Sequence, residues 1–489
     1  LAKQHSIAIC WFRRGIRVDD NLALTAAVTE AEQIVPVFVL DPAILSRPDT
    51  GAVRTRFLFD SLRGLDQSLR QRGGRLIVRY GKPVEALQQL VIETGATGLY
   101  FSADYEPYSR ERDGTIGQQI QGIRVVREFH DHVLSVPGTI LAKSTGKPYT
   151  VYTPFKKVWF GTDFLQPIPA PERVLVPDSV WSEPLPENPS DFGVPDANPF
   201  VLPAGEAEAR QRMHDFVRRT PGGVRNYETD RELPGVEGTS RLSAYLRMGV
   251  LSPRRLLAEV VRQREQDTEA ERKGYEIFLS ELAWRDFYYQ ILWHFPYVAD
   301  SAFKPEYSAI QWENNETYFA AWCAGQTGYP IVDAAMRQLN AEAWMHNRAR
   351  MIVSSFLTKD LLIDWRWGER YFMQKLVDGD MAANNGGWQW AAGTGTDAQP
   401  YFRIFNPVSQ GEKFDPDGTY VKHWVPELAK LPKEVVHQPW KLSVTEQEVV
   451  KCRLGRDYPY PIVDHAVQRE QALALYRRVA KGKANEDKQ

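Results

Sequence analysis

The chain has 489 residues, a formal net charge of −2 and a pI near 6.6, so it is too long for one hydrophobic core and should divide into two or more domains. Its 43% hydrophobic and 25% charged residues exclude a disordered or fibrous class, and a near-neutral total leaves room for a local basic patch facing nucleic acid. Three scattered cysteines (Cys10, Cys323, Cys452) exclude a disulfide framework or cysteine-based zinc site, and no apolar run reaches the length of a membrane span, which together point to a cytoplasmic protein without metal.

Strand and helix alternate through the first third. Apolar runs at Ser6–Trp11, Ile34–Leu40, Arg75–Tyr80, Gly98–Ala103 and Arg124–Phe129 read as strands, with helices over Arg54–Arg72 and Pro83–Thr94. DDNLALTAAVTEAEQ between the first two runs has a capped helical pattern. The alternation predicts a doubly wound parallel sheet, whose ligands bind beyond the carboxyl ends of the strands. Arg13, Asp41, Asp104, Glu106 and Arg110 fall there, with solvated loop residues as the plainer reading. The first turn is CWFRRG and not a dinucleotide fingerprint; GTGTDA at 393–398 follows no strand, and Gly146-Lys147 lacks the upstream glycine of a phosphate loop. An ordinary nicotinamide dehydrogenase or nucleotide triphosphatase is thereby disfavoured.

Phe164–Pro203 carries ten of the 32 prolines and reads as a long crossover between domains. Just before it, Lys143–Trp159 mixes basic and aromatic residues, either as a loop facing nucleic acid or as a surface turn. The expected division is an α/β domain over 1–133, a linker over 134–205 and a larger all-α domain over 206–489. Helical periodicity covers Glu206–Arg219, Pro253–Arg264, Glu271–Phe295, Tyr318–Cys323, Ile331–Ala343, Asn347–Leu357 and Glu369–Val377. Gly238–Leu246 is expected to open a helix capped by Thr239 or Ser240, an anion site if not a plain cap. Spacings of three and four put Glu281, Trp284, Arg285 and Tyr288 on neighbouring faces of one helix, as a salt bridge or as the wall of a pocket. Asn347 and Met351 share a face, and Arg350 could pair with Asp378.

Eleven of the 14 tryptophans follow residue 280, and five (344, 365, 367, 388, 390) crowd Trp344–Phe405 among carboxylates, arginines and the doublet Asn384-Asn385. Bulk cores prefer Leu, Ile and Val, so this density suggests a redox or stacking apparatus, with structural packing as the alternative.

Several long motifs resemble the photolyase/cryptochrome superfamily, specifically class I photolyases acting on cyclobutane pyrimidine dimers. They are GTSRLS at 238–243, ELAWRDFY at 281–288, QTGYPIVDAAMRQL at 326–339, WMHNRARM at 344–351, FLTKDLLIDWR at 356–366 and DGDMAANNGGWQW at 378–390; the N-terminal part matches more loosely, through CWFRRGIRVDDN. The resemblance implies an antenna chromophore in the α/β domain and a U-shaped FAD in the helical domain. FAD positions are Tyr227, Thr239, Ser240, Arg241, Leu242, Ser243, Arg285, Asn347, Arg350, Asp378, Gly379, Asp380 and Asn384. Glu281, Trp284, Asn347, Met351 and Trp390 match the lesion pocket, and Asn384 offers an amide near the flavin's reactive nitrogen. Trp388, Trp365 and Trp312 match a photoreduction chain running from flavin to surface. Tyr288, Arg348, Arg403 and Gln410, with Glu281, Trp284 and Asn347, match DNA-facing positions.

The implied activity is light-dependent repair of UV-damaged DNA, by electron transfer from excited reduced FAD to a flipped-out dimer, in a monomeric enzyme associated with the bacterial nucleoid when bound to DNA. Photolyases are among the general examples of base flipping. The rival implications are a cryptochrome photoreceptor and a (6–4) photolyase. Asn384 is the photolyase-type residue where plant cryptochromes generally carry Asp and animal ones Cys, and only a short polar tail is expected after Ala480. Asn347 and Met351 stand where (6–4) enzymes place His. For the antenna, Asp41-Pro42 and DYEPYSRERD at 104–113 resemble enzymes that bind 8-hydroxy-5-deazaflavin at Asp41, Asp104, Glu106 and Arg110. Tyr108 and Ser109 replace the Asn–carboxylate pair of those binding 5,10-methenyltetrahydrofolate, the alternative.

Overall fold

A computed structural model describes residues 3–195 and 198–486. The chain divides into two compact units. One comprises Leu1–Asn226, Ser240–Pro296 and Val377–Asp380, the other Tyr227–Thr239, Tyr297–Leu376 and Met381–Gln489. Residue 206 marks a change of secondary-structure type, while compactness divides the chain elsewhere. The buried Glu206 carboxylate accepts from the Val18 and Asp19 amides at 2.9 and 3.1 Å and ties the first of the later helices to the loop after the first strand. The short tail after Ala480 ends in residues 487–489, which lie outside the described residues.

The first unit is built on five parallel strands: β1 (His5–Phe12), β2 (Ala31–Leu40), β3 (Ile77–Tyr80), β4 (Gly98–Ser102) and β5 (Val125–Phe129), in the order β3-β2-β1-β4-β5. Ile9 pairs with Val35 on one side and Leu99 on the other, so β1 is central, which explains why its residues 8–12 are continuously apolar and buried. The strand order reverses between β1 and β4, and the crevice beyond their carboxyl ends is where this fold binds ligands. Helices α1 (Leu22–Glu30, capped by Asn21), α2 (Ala52–Arg70), α3 (Pro83–Thr94) and α4 (Pro107–Gln119) belong to this part, the last not anticipated from the sequence. The proline-rich segment follows the sheet rather than hanging free of it: Glu183 N–H donates to Val78 O (3.0 Å) and Val78 N–H to Ser182 Oγ (2.9 Å), covering the β3 edge.

Two expectations are corrected here. Residues 152–160 of the supposed loop form helix α5 (Tyr152–Phe160), because Tyr152, Phe155 and Trp159 fall at helical spacing and are buried. The helix after GTSRLS is only Ser243–Met248; Leu242 stands at its N-cap without a side-chain bond, so neither Thr239 nor Ser240 caps it. Ser240 Oγ instead accepts from Leu242 N–H at 3.3 Å, and Arg241 adopts a left-handed φ of 49°, a strained turn of the kind retained at functional sites.

The unit continues with α6 (Glu206–Arg218), α7 (Pro253–Gln266) and α8 (Arg272–His294). Asp286 of α8 is fully buried and accepts from Ser135 N–H (2.7 Å), Ser135 Oγ (3.0 Å) and Trp159 Nε1 (2.9 Å), fixing α8 against α5 and the segment after β5.

The second unit is helical, with α9 (Glu316–Ala324), α10 (Pro330–Glu342), α11 (Asn347–Lys359), α12 (Trp365–Lys375), α13 (Met381–Ala392), α14 (Pro407–Phe414) and α15 (His465–Glu486). Trp322, Trp365 and Trp388 lie inside its core with Phe356 and Phe372. A Cβ on Gly368 would lie 2.0 Å from Trp388 Cη2 and 2.6 Å from Leu357 Cδ2, so α12 approaches Trp388 as closely as it does only because residue 368 is glycine. Gly368→Ala should therefore destabilise the protein by about 1–3 kcal/mol through overpacking, visible as a lower urea midpoint with an altered tryptophan emission.

Candidate functional site

On α8, Glu281, Trp284, Arg285 and Tyr288 are half-buried, while their neighbours Leu282, Ala283, Asp286, Phe287 and Tyr289 are buried. One polar-aromatic face therefore emerges from an otherwise enclosed helix. Trp284 stacks on Tyr152 of α5 with ring centroids 3.6 Å apart and an 11° interplanar angle, and its edge meets Phe287 at 5.6 Å. The Tyr152 hydroxyl donates to Ser280 O at 2.6 Å, locking the stack to α8. Sequence reasoning missed Tyr152; the Tyr-x-x-Phe-x-x-x-Trp spacing was its available signal.

Arg285 donates to His132 O at 2.6 Å, lies 2.8 Å from His132 Nε2, and sits 5.0 Å from the Tyr289 ring centroid. The Tyr289 hydroxyl donates to Asp380, which also accepts from Arg14 at 3.2 Å. Gly379 O accepts from Arg247 Nε at 2.9 Å. Burial alone would raise the Asp380 carboxyl; Arg14 and the Tyr289 hydroxyl outweigh it and hold it below its ordinary value. Asp378 is buried beside this group in sequence.

Arg14 also engages Asp104 (3.3 Å) and Glu106, joining three of the singled-out carboxylates at the β1–β4 switch point. Asp41 accepts from the Tyr108 hydroxyl at 2.6 Å. Arg110 turns elsewhere, donating to Trp293 O at 2.8 Å and stacking 3.8 Å from that ring. Arg13 is held by Asp113 at 2.5 Å and lies over Trp11.

In the second unit, Asn347 opens α11, whose N-cap is the buried His346: its Nδ1 accepts from Arg348 N–H at 3.1 Å. Asn347 Nδ2 meets Met351 Sδ at 3.7 Å, so the two share a face as expected. Arg350 Nε donates to Met345 O at 2.9 Å. Arg348 pairs with Glu232 and stacks 4.1 Å over Phe414. Asn384 Nδ2 donates to Glu369 O at 3.0 Å, while the buried Asn385 bonds Val298 O at 2.8 Å, so only the first of the doublet is half-exposed. Tyr227 is buried with Arg231 5.2 Å from its ring centroid. Leu242 has its side chain buried in the first unit, whereas Ser243 is exposed there. Trp388 and Trp365 are buried and Trp312 and Trp390 half-buried. Arg403 is exposed, its carbonyl held by Gln399 Nε2 at 3.0 Å, and Gln410 is half-buried on α14.

Two family models match: "DNA photolyase" over residues 8–172 and "FAD binding domain of DNA photolyase" over 278–478. A deoxyribodipyrimidine photo-lyase of Escherichia coli (strain K12) is 40% identical, over 97% of this chain and 99% of its own length. The chain belongs to the photolyase/cryptochrome family. Among solved members of this family, a class III photolyase from Agrobacterium tumefaciens superposes with a TM-score of 0.90 at 39% identity, covering 98% of this chain and 99% of that one. A cryptochrome of Synechocystis sp. PCC6803 gives 0.88 at 30% identity, covering 96% and 99%.

Arg247, half-buried and held to Gly379 O at 2.9 Å beside Asp378 and Asp380 in sequence, suits a group that brings negative charge, as the pyrophosphate of FAD does. Burial first, and Arg14 as a near neighbour second, pull its guanidinium down. Among the described residues no cluster of His, Cys, Asp or Glu could hold a metal ion, and no helix is long and apolar enough to cross a membrane.

Proposed function

We propose that this chain repairs cyclobutane pyrimidine dimers in DNA in a light-dependent reaction. The observation that carries the reading is the α8 face, where Trp284 is stacked on Tyr152 beside Glu281 and Arg285, in a chain 40% identical along almost its whole length to an enzyme named deoxyribodipyrimidine photo-lyase. Bound FAD in its reduced form would supply, on absorbing light, the electron that opens the cyclobutane ring and would regain it once the two pyrimidines have separated, so that repair is redox-neutral.

The protein's own part is binding and positioning. A dimer must leave the duplex to be reached, and its weakened stacking lowers the cost of flipping, giving selectivity without reading sequence. Trp284, rigidified by Tyr152, presents a flat apolar surface to the splayed pyrimidines, and the Trp390 indole is of the same kind. Glu281 can hydrogen-bond a pyrimidine edge and hold a proton there. Arg403 and Arg348 grip phosphates in a salt-dependent manner, Arg348 by exchanging its Glu232 partner for a phosphate. Tyr227, the 239–243 turn, Arg285, Asn347, Arg350, the 378–380 segment and Asn384 hold the FAD, with the Asn384 amide toward the flavin ring. For an antenna, 8-hydroxy-5-deazaflavin is the proposed occupant, near Asp41, Asp104 and Glu106.

The test is an oligonucleotide carrying one thymine dimer, with recovery of thymine absorbance followed under reducing conditions with and without blue light. Light-dependent recovery is expected. Trp284→Ala should weaken affinity for that oligonucleotide about tenfold to hundredfold, the equivalent of one base stack, while undamaged DNA binds as before. No recovery by the FAD-loaded, reduced protein overturns the reading and leaves the photoreceptor role, which the likeness to the Synechocystis cryptochrome favours next. On subclass, the sequence motifs support class I, and the 0.90 TM-score to a class III enzyme favours class III as the second reading.

A further inference from the structure

His132 follows β5 and is almost wholly buried, yet it belongs to none of the motifs singled out in the sequence. Its ring Nε2 lies 2.8 Å from an Arg285 terminal nitrogen and 2.8 Å from the Tyr289 hydroxyl, and its backbone oxygen accepts from the other Arg285 terminal nitrogen at 2.6 Å. A guanidinium can only donate, so Nε2 must be the acceptor. The ring proton therefore sits on Nδ1, and the imidazole is neutral, as burial and the surrounding cations Arg285 and Arg14 require. Tyr289 directs its own proton to Asp380, leaving the Nε2 lone pair to Arg285. Among the described residues, the buried Nδ1 has no protein partner, so the contacts that hold the ring are those at Nε2 and at the backbone oxygen.

We propose that His132 is the positioning residue that aims Arg285 at the flavin nucleotide, clamping both terminal guanidinium nitrogens through its Nε2 and its own carbonyl oxygen. The clamp occupies one hydrogen on each terminal nitrogen, and Leu246 O takes a further, longer contact at 3.4 Å. Among the described residues, the Nε hydrogen and the second Nη1 hydrogen have no protein acceptor within hydrogen-bond distance, and these are what Arg285 offers to an anion. The relay Arg285–His132, Tyr289–Asp380, Arg14 also fixes the ring plane: His132 meets Tyr289 edge-on at 5.3 Å and 83°. The inference rests on the reading of Arg285 as an FAD-binding residue.

The test uses the full chain, stripped of flavin and titrated with FAD while flavin fluorescence is followed, with the thermal midpoint of each flavin-free protein measured alongside. His132→Leu keeps the bulk and removes the acceptor; His132→Gln restores an amide oxygen at the Nε2 position; His132→Asn places its amide at the Nδ1 position instead. His132→Leu and His132→Asn should each weaken FAD binding about tenfold, the worth of a hydrogen bond to a charged group. His132→Gln should bind FAD as the parent does, with flavin-free midpoints of Gln and Asn variants alike. Equal FAD affinity for the parent and the Asn and Leu variants overturns the clamp, as does a Gln variant as weak as the Asn variant, a comparison that stands even if the Leu variant does not fold. Failure of the parent itself to bind FAD overturns the flavin reading along with it, and so separates the two failures.

Discussion

Replacing Arg14 with methionine is expected to destabilise the protein by about 3–5 kcal/mol near neutral pH. Arg14 is buried to 7% side-chain exposure and is shared among Asp104, Glu106 and Asp380. Burial works against its charge, and the three carboxylates more than restore it, so its proton is held more firmly than usual. Methionine keeps much of the bulk but removes the cation that the three enclosed carboxylates share, and a buried charge that loses its main compensation is the expensive outcome. Lysine should recover only part of the loss, because a point charge cannot reproduce the three-way fork.

The pH dependence distinguishes this account from simple loss of packing. Asp104 and Asp380 both sit below their ordinary value of 3.8: burial raises each, and Arg14, the largest of the attractive charges, outweighs it only together with the other cations and hydrogen bonds around them. A depressed carboxyl contributes stability that is present above the unfolded value and is lost as pH falls through the folded one. Parent stability should therefore decline below about pH 4. In Arg14→Met the same carboxyls, still desolvated but without their strongest attractive charge, gain protons more readily, so the deficit should be widest near pH 7 and shrink toward pH 4. Urea unfolding across that range measures both; a deficit independent of pH would assign the loss to packing.

The Arg14 cluster shows where the sequence was legible and where it was not. The strand entering it was evident, since a continuous apolar run is what a central parallel strand requires, and Asp104, Glu106 and Arg13 were marked because they follow strand ends. That Arg14 would be the cation joining them, together with Asp380 some 366 residues further on, is a tertiary fact that no local pattern encodes. Helix Pro83–Thr94 was read to both ends because proline opens it and Gly95, with a φ of 68°, closes it. Helix α13 was not read as a helix: MAANNGGWQWAA has two Asn and two Gly, poor helix formers, and packing of Trp388 against Gly368 overrides that propensity. The capping expectation at Thr239 and Ser240 failed because the strained Arg241 turn intervenes before the first helical residue. Tyr152 was hidden because its segment is rich in Lys, Thr and Pro, which read as surface.

Trp388→Phe is expected to abolish light-driven reduction of the bound flavin while leaving repair by chemically reduced protein intact. Trp388 and Trp390 lie two residues apart on α13, so they point about 200° apart around the axis. Trp388 is 2% exposed and packs edge-on against Phe372 at 5.0 Å and Trp322 at 6.1 Å, whereas Trp390 is half-buried. One indole is thus set into the core that also contains Trp365, with Trp312 packed at its border, and the other is only half-buried. Phenylalanine keeps an aromatic ring in the Trp388 site but is far harder to oxidise, so an electron path through that position, if the photoreduction runs there, is expected to close. The cost in stability should be only about 1–3 kcal/mol. Trp390→Phe is the matched control, expected to weaken binding of dimer-containing DNA and to leave photoreduction unchanged. The measurement is the bleaching of oxidised-flavin absorbance under blue light with an external reductant, alongside dimer repair after chemical reduction. Photoreduction at the parent rate in Trp388→Phe would exclude this indole from the path. Loss of both activities would show instead that the substitution disturbs flavin binding, because repair by the chemically reduced protein requires the flavin but not the chain of tryptophans.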